Sequence, residues 1–251
     1  SASLTYVLIV VPISVALGLG SALLISSLRI GNELYKAIFF LPVMATLLAM
    51  AIVWEFALNP IMGVVNDILR SGCDKRLIYG FFTGAWYGAD PLQSWYGTAC
   101  ADRFPIWLGD KRYALGTIAF IGIWQGFGFN MVLYLAGLTS VPRELYQAAH
   151  MDGADSAWER FKLVTWPMLG PTHVFVITIS SIRSFQVFDT VEALTEGGPS
   201  KSTYVMVYAM FEKGVRQNLL GIGSAITIVF LAFVLVLTLI QVYFVNRRVH
   251  Y

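Results

Sequence analysis

The sequence predicts an all-α polytopic membrane protein, and three observations predict it. Of 251 residues, 57% are hydrophobic and only 13% charged, about half the charged share of an ordinary soluble domain. The mean hydropathy is +0.67. The apolar residues also gather in five windows of about 20 residues, the length a helix needs to cross the hydrocarbon core. A soluble enzyme of this size would need a charged shell, and a β-barrel would alternate polar and apolar residues instead of running apolar without a break. The net charge of +2 is small and scattered, so no nucleic-acid partner is expected. Two cysteines are too few for a disulfide scaffold, a zinc ribbon or an iron–sulfur ferredoxin.

The first span is read at 4–26. No basic region precedes it and it exceeds the apolar core of a signal peptide, so it is expected to remain as a span. The second, 37–58, is apolar all round from 43 to 54, which suits lipid or a buried position and not an amphipathic surface helix. A long external loop, 59–113, leads to the third span, 114–138, where Gly122 and Gly126 form a small-xxx-small pattern suited to close helix packing. The polar stretch 139–171 precedes the fourth span, 172–194. The apolar run 203–211 is too short to cross and is expected to re-enter or lie at the outer interface. The fifth span is 221–245, apolar all round from 225 to 240 apart from scattered Thr.

An odd number of spans puts the ends on opposite sides. Arg29, Lys36, Arg143, Arg160, Lys162, Arg247 and Arg248 fall on one side in short connections, and these decide the positive-inside rule because a loop as long as 59–113 weighs little in it. That side is expected in the cytoplasm. Ser1 then lies outside, abutting a span in a chain that does not begin with Met, so a further N-terminal span is expected to precede it.

The cytoplasmic stretch 139–171 reads as two short helices around a sharp turn. Ser140 is expected to cap the first, with Pro142 in its first turn and Glu144 near its positive end. Leu145, Ala148 and Ala149 are expected to share one face. Gly153 makes the turn, Ser156 and Glu159 form a capping box, and Pro167 is expected to stop the second helix. A linker would need only a few residues, so this is a built knob with a docking role.

Within the knob stand Gln147, Ala148, Ala149, Asp152, Gly153, Ala154, Phe161, Val164 and Pro167. At these positions the chain resembles the permease subunits of binding-protein-dependent ABC importers, in the oligosaccharide branch that includes the maltose permease. That family carries a cytoplasmic EAA loop, E-A-A-x2-D-G-A followed by an aromatic and I-x-L-P. Gln147 stands here for the leading Glu, and Trp166 for Leu. A second match is independent: SFQVFDTVEALTEGGP, from Ser184 to Pro199, resembles the family's F-D-x-x-x-x-L-T-x-G-G-P.

The resemblance implies a type I ABC importer transmembrane domain in the bacterial cytoplasmic membrane. It implies an EAA coupling helix seated in a cytoplasmic ATP-binding subunit dimer, a second homologous permease subunit, an extracytoplasmic solute-binding protein, and a sugar moved by alternating access. ATP and Mg belong to the partner ATPase, and no cofactor is expected on this chain. Gly197, Gly198, Lys201 and Ser202 look superficially like a phosphate loop, but Ser200 precedes Lys201 where Gly is needed and Thr195 stands where the other Gly should be. His150, His173 and His250 lack metal-ligand spacing. An ion-driven transporter and a polytopic membrane enzyme are the competing classes, and the coupling-loop match disfavours both.

Polar groups inside the membrane are costly and therefore informative: Glu55, Gln125, Asn130, Ser180, Ser181, Arg183, Ser184, Gln186 and Asp189. The resemblance implies that the stretch around Ser180, Ser184 and Gln186 contributes to a sugar path. Gln125 and Asn130 are further candidates. Arg183 is open to two readings, a structural ion pair with Glu55 or Asp189, or a guanidinium facing the path and suited to a carboxylate or phosphate. In the external loop, Cys73 and Cys100 are expected to pair. Trp86, Tyr87, Trp95 and Tyr96 there either contact sugar or binding protein or pack the loop.

Overall fold

The computed structural model describes residues 2–28, 31–60, 62–66, 68 and 106–246. The cysteine pair, the loop aromatics, Arg29 and the arginines of the tail lie outside the described residues. Among the described residues the chain is helical, with no strand. Four helices are long and apolar enough to cross a membrane, or five spans if one bent pair counts as a span.

The first window forms α1, Ala2–Ser27. The second is not one straight helix. It forms α2, Asn32–Met44, and α3, Leu47–Ala57, bent by 96° at the break. Pro42 lies within α2, where it removes one backbone N–H and crowds the carbonyl one turn before it, but the break falls after it. The helix lasts two residues more, and Ala45 and Thr46 are extended (ψ 140 in each). The Thr46 hydroxyl then accepts the Ala49 N–H at 3.4 Å and starts α3.

The third window forms α4, Ala114–Thr139. The knob follows as α5, Arg143–Met151, and α6, Ala157–Arg160. Pro167 does not end the second knob helix. A π turn at Phe161–Thr165 carries α6 into the short α7, Trp166–Met168, and through Leu169 into α8, Gly170–Phe185. Pro167 falls in the first turn of α7 and Pro171 in the first turn of α8, where the missing N–H has no partner to lose.

The fourth window also breaks. α8 ends at Gln186 (φ −84, ψ 9) and α9, Asp189–Leu194, begins after Phe188 (φ −139, ψ −59). Val187 and Phe188 in the break pack against the buried cluster that includes Tyr6, Phe185 and Tyr208, so tertiary burial overrides helical continuity there. The short apolar run yields α10, Met206–Phe211, and a second π turn, Glu212–Arg216, before α11, Leu220–Asn246.

The bundle is organised by α1, which packs most extensively on α4 and also on α8; α2 lies on α4, α9 on α3, and α11 on α8 and α10. Two apolar cores follow the length of α1. One gathers Tyr6, Val10, Ile118, Phe185 and Tyr208, the other Ala22, Ile25, Met131, Tyr134 and Val176. Only 6% of an 18-residue apolar window of α11, within Leu220–Gln241, is buried within the chain, so this helix presents its apolar surface outward to lipid or a neighbouring subunit.

Candidate functional site

The knob owes its turn to a complete helix C-cap. Gly153 has φ +91, and the chain around it makes the two bonds of a Schellman motif: the Gly153 N–H donates to the His150 carbonyl at 3.1 Å and the Ala154 N–H to the Ala149 carbonyl at 2.9 Å. The apolar contact that accompanies this motif is present too. Ala149 and Ala154 are buried with Val141 and Val164, and Tyr146 covers them. The Tyr146 hydroxyl bonds Thr165 across the knob at 3.0 Å.

The motif residues therefore divide. Ala149, Ala154 and Val164 build the inside of the knob, while Gln147, Ala148, Asp152, Gly153 and Pro167 face outward. Leu145, Ala148 and Ala149 all fall in α5 at the spacing of one face, and of the three only Ala149 is buried. Ser140 does not cap α5. Its hydroxyl turns back to the Gly137 carbonyl at 2.7 Å, and Pro142 holds the N-cap position without a side-chain bond. The capping box does form. The Glu159 N–H donates to the Ser156 hydroxyl at 3.0 Å and the Ser156 N–H to the Glu159 carboxylate at 3.1 Å. That backbone bond, with the hydroxyl bond second, holds Glu159 below the ordinary carboxylate value.

Apolar side chains crown the knob, with Met151 87% and Trp158 71% exposed. From Trp158 a ladder of rings runs inward. Trp158 stacks on Phe161 at 5.4 Å, Phe161 meets Trp166 at 5.9 Å, Trp166 meets His173 at 4.5 Å, and His173 meets Tyr134 at 5.2 Å. His173 Nδ1 also bonds the Tyr134 hydroxyl at 2.9 Å, and the Tyr134 side chain is fully buried.

The second region is a cavity of about 170 Å3 among α1, α4, α8 and the break before α9. All six path candidates line it: Gln125 and Asn130 from α4, Ser180, Arg183 and Ser184 from α8, and Gln186 from the break. Asn130 ties the three helices together. It accepts the Ser180 hydroxyl at 2.9 Å and donates to the Ser14 hydroxyl at 3.4 Å. Close packing makes that possible, because a Cβ on Gly18 would stand 2.6 Å from the Asn130 Cβ. Gly122 likewise faces Tyr6 in close contact, and Gly126 opens toward Ser14.

Arg183 makes no ion pair among the described residues, so the pairing with Glu55 or Asp189 is not formed. Its guanidinium lies 4.5 Å over the Phe129 ring. Such a stack is worth about 0.5 to 2 kcal/mol, less than the cost of at least about 2.5 kcal/mol for an Arg within a span. Arg183 and Asp189 both line the cavity and both are exposed.

Reading the sequence missed the contribution of α1, namely Tyr6, Val10 and Ser14 on the cavity wall. The signal was there, for Tyr6, Val10, Ser14 and Gly18 recur every four residues and share one face. Thr190 was missed as well.

The stretch that looked like a phosphate loop is a turn bonded to itself. The Thr203 hydroxyl donates to the Gly198 carbonyl at 2.7 Å and meets the Thr195 hydroxyl at 2.8 Å. Gly197 has φ +76, and a Cβ there would reach within 2.7 Å of the Tyr208 ring. Arg216 clasps the turn through Glu192 at 2.7 Å and Glu196 at 3.4 Å. Tyr204 bonds Glu212, and burial, with that carboxylate second, pushes its hydroxyl up to about 12.

Residues 14–250 match the family model described as the binding-protein-dependent transport system inner membrane component. The sn-glycerol-3-phosphate transport system permease protein UgpA of Brucella abortus is 30% identical over 100% of this chain and 76% of its own length. The probable ABC transporter permease protein YurN of Bacillus subtilis is 28% identical over 85% of this chain and 64% of its own. Among solved structures, a chain of a bacterial alginate ABC transporter, crystallised with an alginate pentasaccharide-bound periplasmic protein, superimposes with a TM-score of 0.78. It is 21% identical and covers 99% of this chain and 77% of its own.

Proposed function

The chain belongs to the family of binding-protein-dependent transport system inner membrane components, and from that premise we propose that it is the subunit through which an ATP-driven importer passes a sugar or sugar-derived solute. It is an ABC permease and not an enzyme, as its relatives are. Its partners are a second, homologous permease subunit, a cytoplasmic ATP-binding dimer that holds ATP and Mg, and an extracytoplasmic solute-binding protein. The names of the relatives, a glycerol-phosphate system and an alginate system, support a solute of this kind.

One observation carries the reading: the knob is the direct connection between α4 and α8, the two helices that supply Gln125, Asn130, Ser180, Arg183 and Ser184 to the cavity. A displacement of the knob acts on two walls of the cavity together. The outward-facing Gln147, Ala148 and Asp152, with exposed Met151 and Trp158 beside them, offer the ATPase a contact surface over a rigid interior. The substrate passes Gln125, Asn130, Ser180, Arg183, Ser184 and Gln186 as the packing of the spans alternates.

The test is reconstitution in proteoliposomes with both permease subunits, the ATP-binding dimer and the binding protein. ATP hydrolysis and uptake should both rise when loaded binding protein is added. Uptake that persists without ATP and follows an ion gradient would replace this reading with a secondary transporter.

A further inference from the structure

We infer that the cavity selects a hydroxylated anion, a sugar or polyol bearing a carboxylate or phosphate, with Arg183 receiving the anionic group and Asp189 the hydroxyls. The inference rests on the transport reading above. Arg183 and Asp189 are the charged side chains among the residues lining the cavity, and both are exposed. They are not paired with each other or with another described residue. The Arg183 guanidinium carbon lies 4.5 Å from the centre of the Phe129 ring, a contact that engages a face of the cation and none of its N–H donors. A planar fork held this way matches the two oxygens of a carboxylate or phosphate.

The neighbours are neutral donors and acceptors: Ser184, Gln186, Thr190 and Gln125. A ligand with hydroxyls beside its charge satisfies these and the Asp189 carboxylate, an acceptor only. A neutral sugar would satisfy Asp189 equally well, but its occlusion would leave the Arg183 guanidinium desolvated with no anion against it. That penalty discriminates against the uncharged analogue more strongly than any added contact favours the charged one.

The test uses the complete reconstituted transporter with its binding protein, offered sn-glycerol 3-phosphate, trigalacturonate, glycerol, maltotriose and a zwitterionic amino sugar acid. Stimulation of ATP hydrolysis and uptake is expected with the phosphate or the uronate probe, whichever the binding protein delivers, and these two arms distinguish the anion's source. Stimulation by the neutral probes alone, or by the zwitterion alone, overturns the inference and leaves the transport reading standing. No stimulation by any of the five probes, in a transporter that loaded binding protein of its own system does stimulate, overturns the inference and leaves the transport reading standing.

Uptake of the anionic probe should fall about tenfold in Arg183→Lys and about a hundredfold in Arg183→Gln. The deciding readout is selectivity, because damage to the fold depresses neutral and anionic uptake alike, whereas loss of the guanidinium raises the neutral-to-anionic ratio. If Arg183→Gln does not assemble, the ratio in Arg183→Lys decides. A ratio equal to the parent's in the variant measured overturns the assignment.

Discussion

Replacing Gly153 isolates a single backbone angle. At φ +91 an L-residue is strained, but a Cβ built there meets nothing within 4 Å, so a substitution adds no steric clash and the whole effect is conformational. The cost is about 1 to 2 kcal/mol for Ala and about 1 to 3 kcal/mol for a β-branched residue, less for Asn, which tolerates this region. The two hydrogen bonds of the cap contribute about 0.5 to 1.5 kcal/mol each, a sum comparable to the valine penalty, so Gly153→Val should open the turn instead of straining it. At about 1.4 kcal/mol per tenfold, the share of molecules with the knob in its present form drops roughly 5- to 150-fold. The assay is uptake and stimulated ATP hydrolysis in proteoliposomes at matched expression, with the ATPase's retention checked by co-purification. Activity should fall in the order Gly, Asn, Ala, Val. Parent-level uptake by Gly153→Val, or an Asn variant no better than Val, would refute the argument.

Three further outcomes are expected. Asn130→Ala should lower stability by about 0.6 to 2 kcal/mol by leaving the Ser180 hydroxyl without its acceptor and the Ser14 oxygen without its donor, and Gly18→Val should cost about 1 to 3 kcal/mol by overpacking the same contact; an unchanged thermal midpoint in detergent for both would disprove the tie. Because the folded carboxyl of Glu159 lies below its ordinary value of 4.5, its contribution to the knob is fully present above that value and lost as pH falls through the folded one. Amide exchange at the Ser156 turn should therefore quicken in acid in the parent and show no such step in Glu159→Gln. Unreduced protein should carry no alkylation at Cys73 or Cys100, since a bridge closing that stretch contributes about 3 to 4 kcal/mol; two alkylated thiols in the mass spectrum would exclude it.

The spans were legible because a bilayer imposes one demand on every residue of a window, and five windows met it. Breaks inside windows were not, because hydropathy averages over the residue that causes them. Ala45 and Thr46 sit in an apolar run and cost the average little, yet the chain turns extended there and divides the second window. Gln186 to Phe188 leave the helix because Val187 and Phe188 find burial against residues distant in sequence, which no local pattern announces. The knob's turn was legible for the opposite reason, since Gly153, Ser156 and Glu159 act on their immediate neighbours. The cavity candidates on α4 and α8 stood out as polar groups where polarity is expensive, whereas the α1 side of the cavity, Tyr6 and Ser14, was hidden by the apolar residues between them. Pro167 misled because the π turn before it lets the chain continue, and that turn depends on tertiary packing.

Between Arg160 and Gly170 the backbone is irregular: a π turn and a three-residue helical turn, with Pro167 and Pro171 close by, replace the even bonding of one continuous α-helix. The ladder from Trp158 through Phe161, Trp166 and His173 to Tyr134 crosses this same interval. Side chains thus lie as a splint along a stretch where the helical bonding changes register. Rings have few internal torsions and do not shorten, so the segment bends as a piece and its length is preserved. Removing one rung, for instance His173, would convert the braced joint into a free hinge. The knob and the bundle should each remain folded, with the angle between them no longer held by the rings.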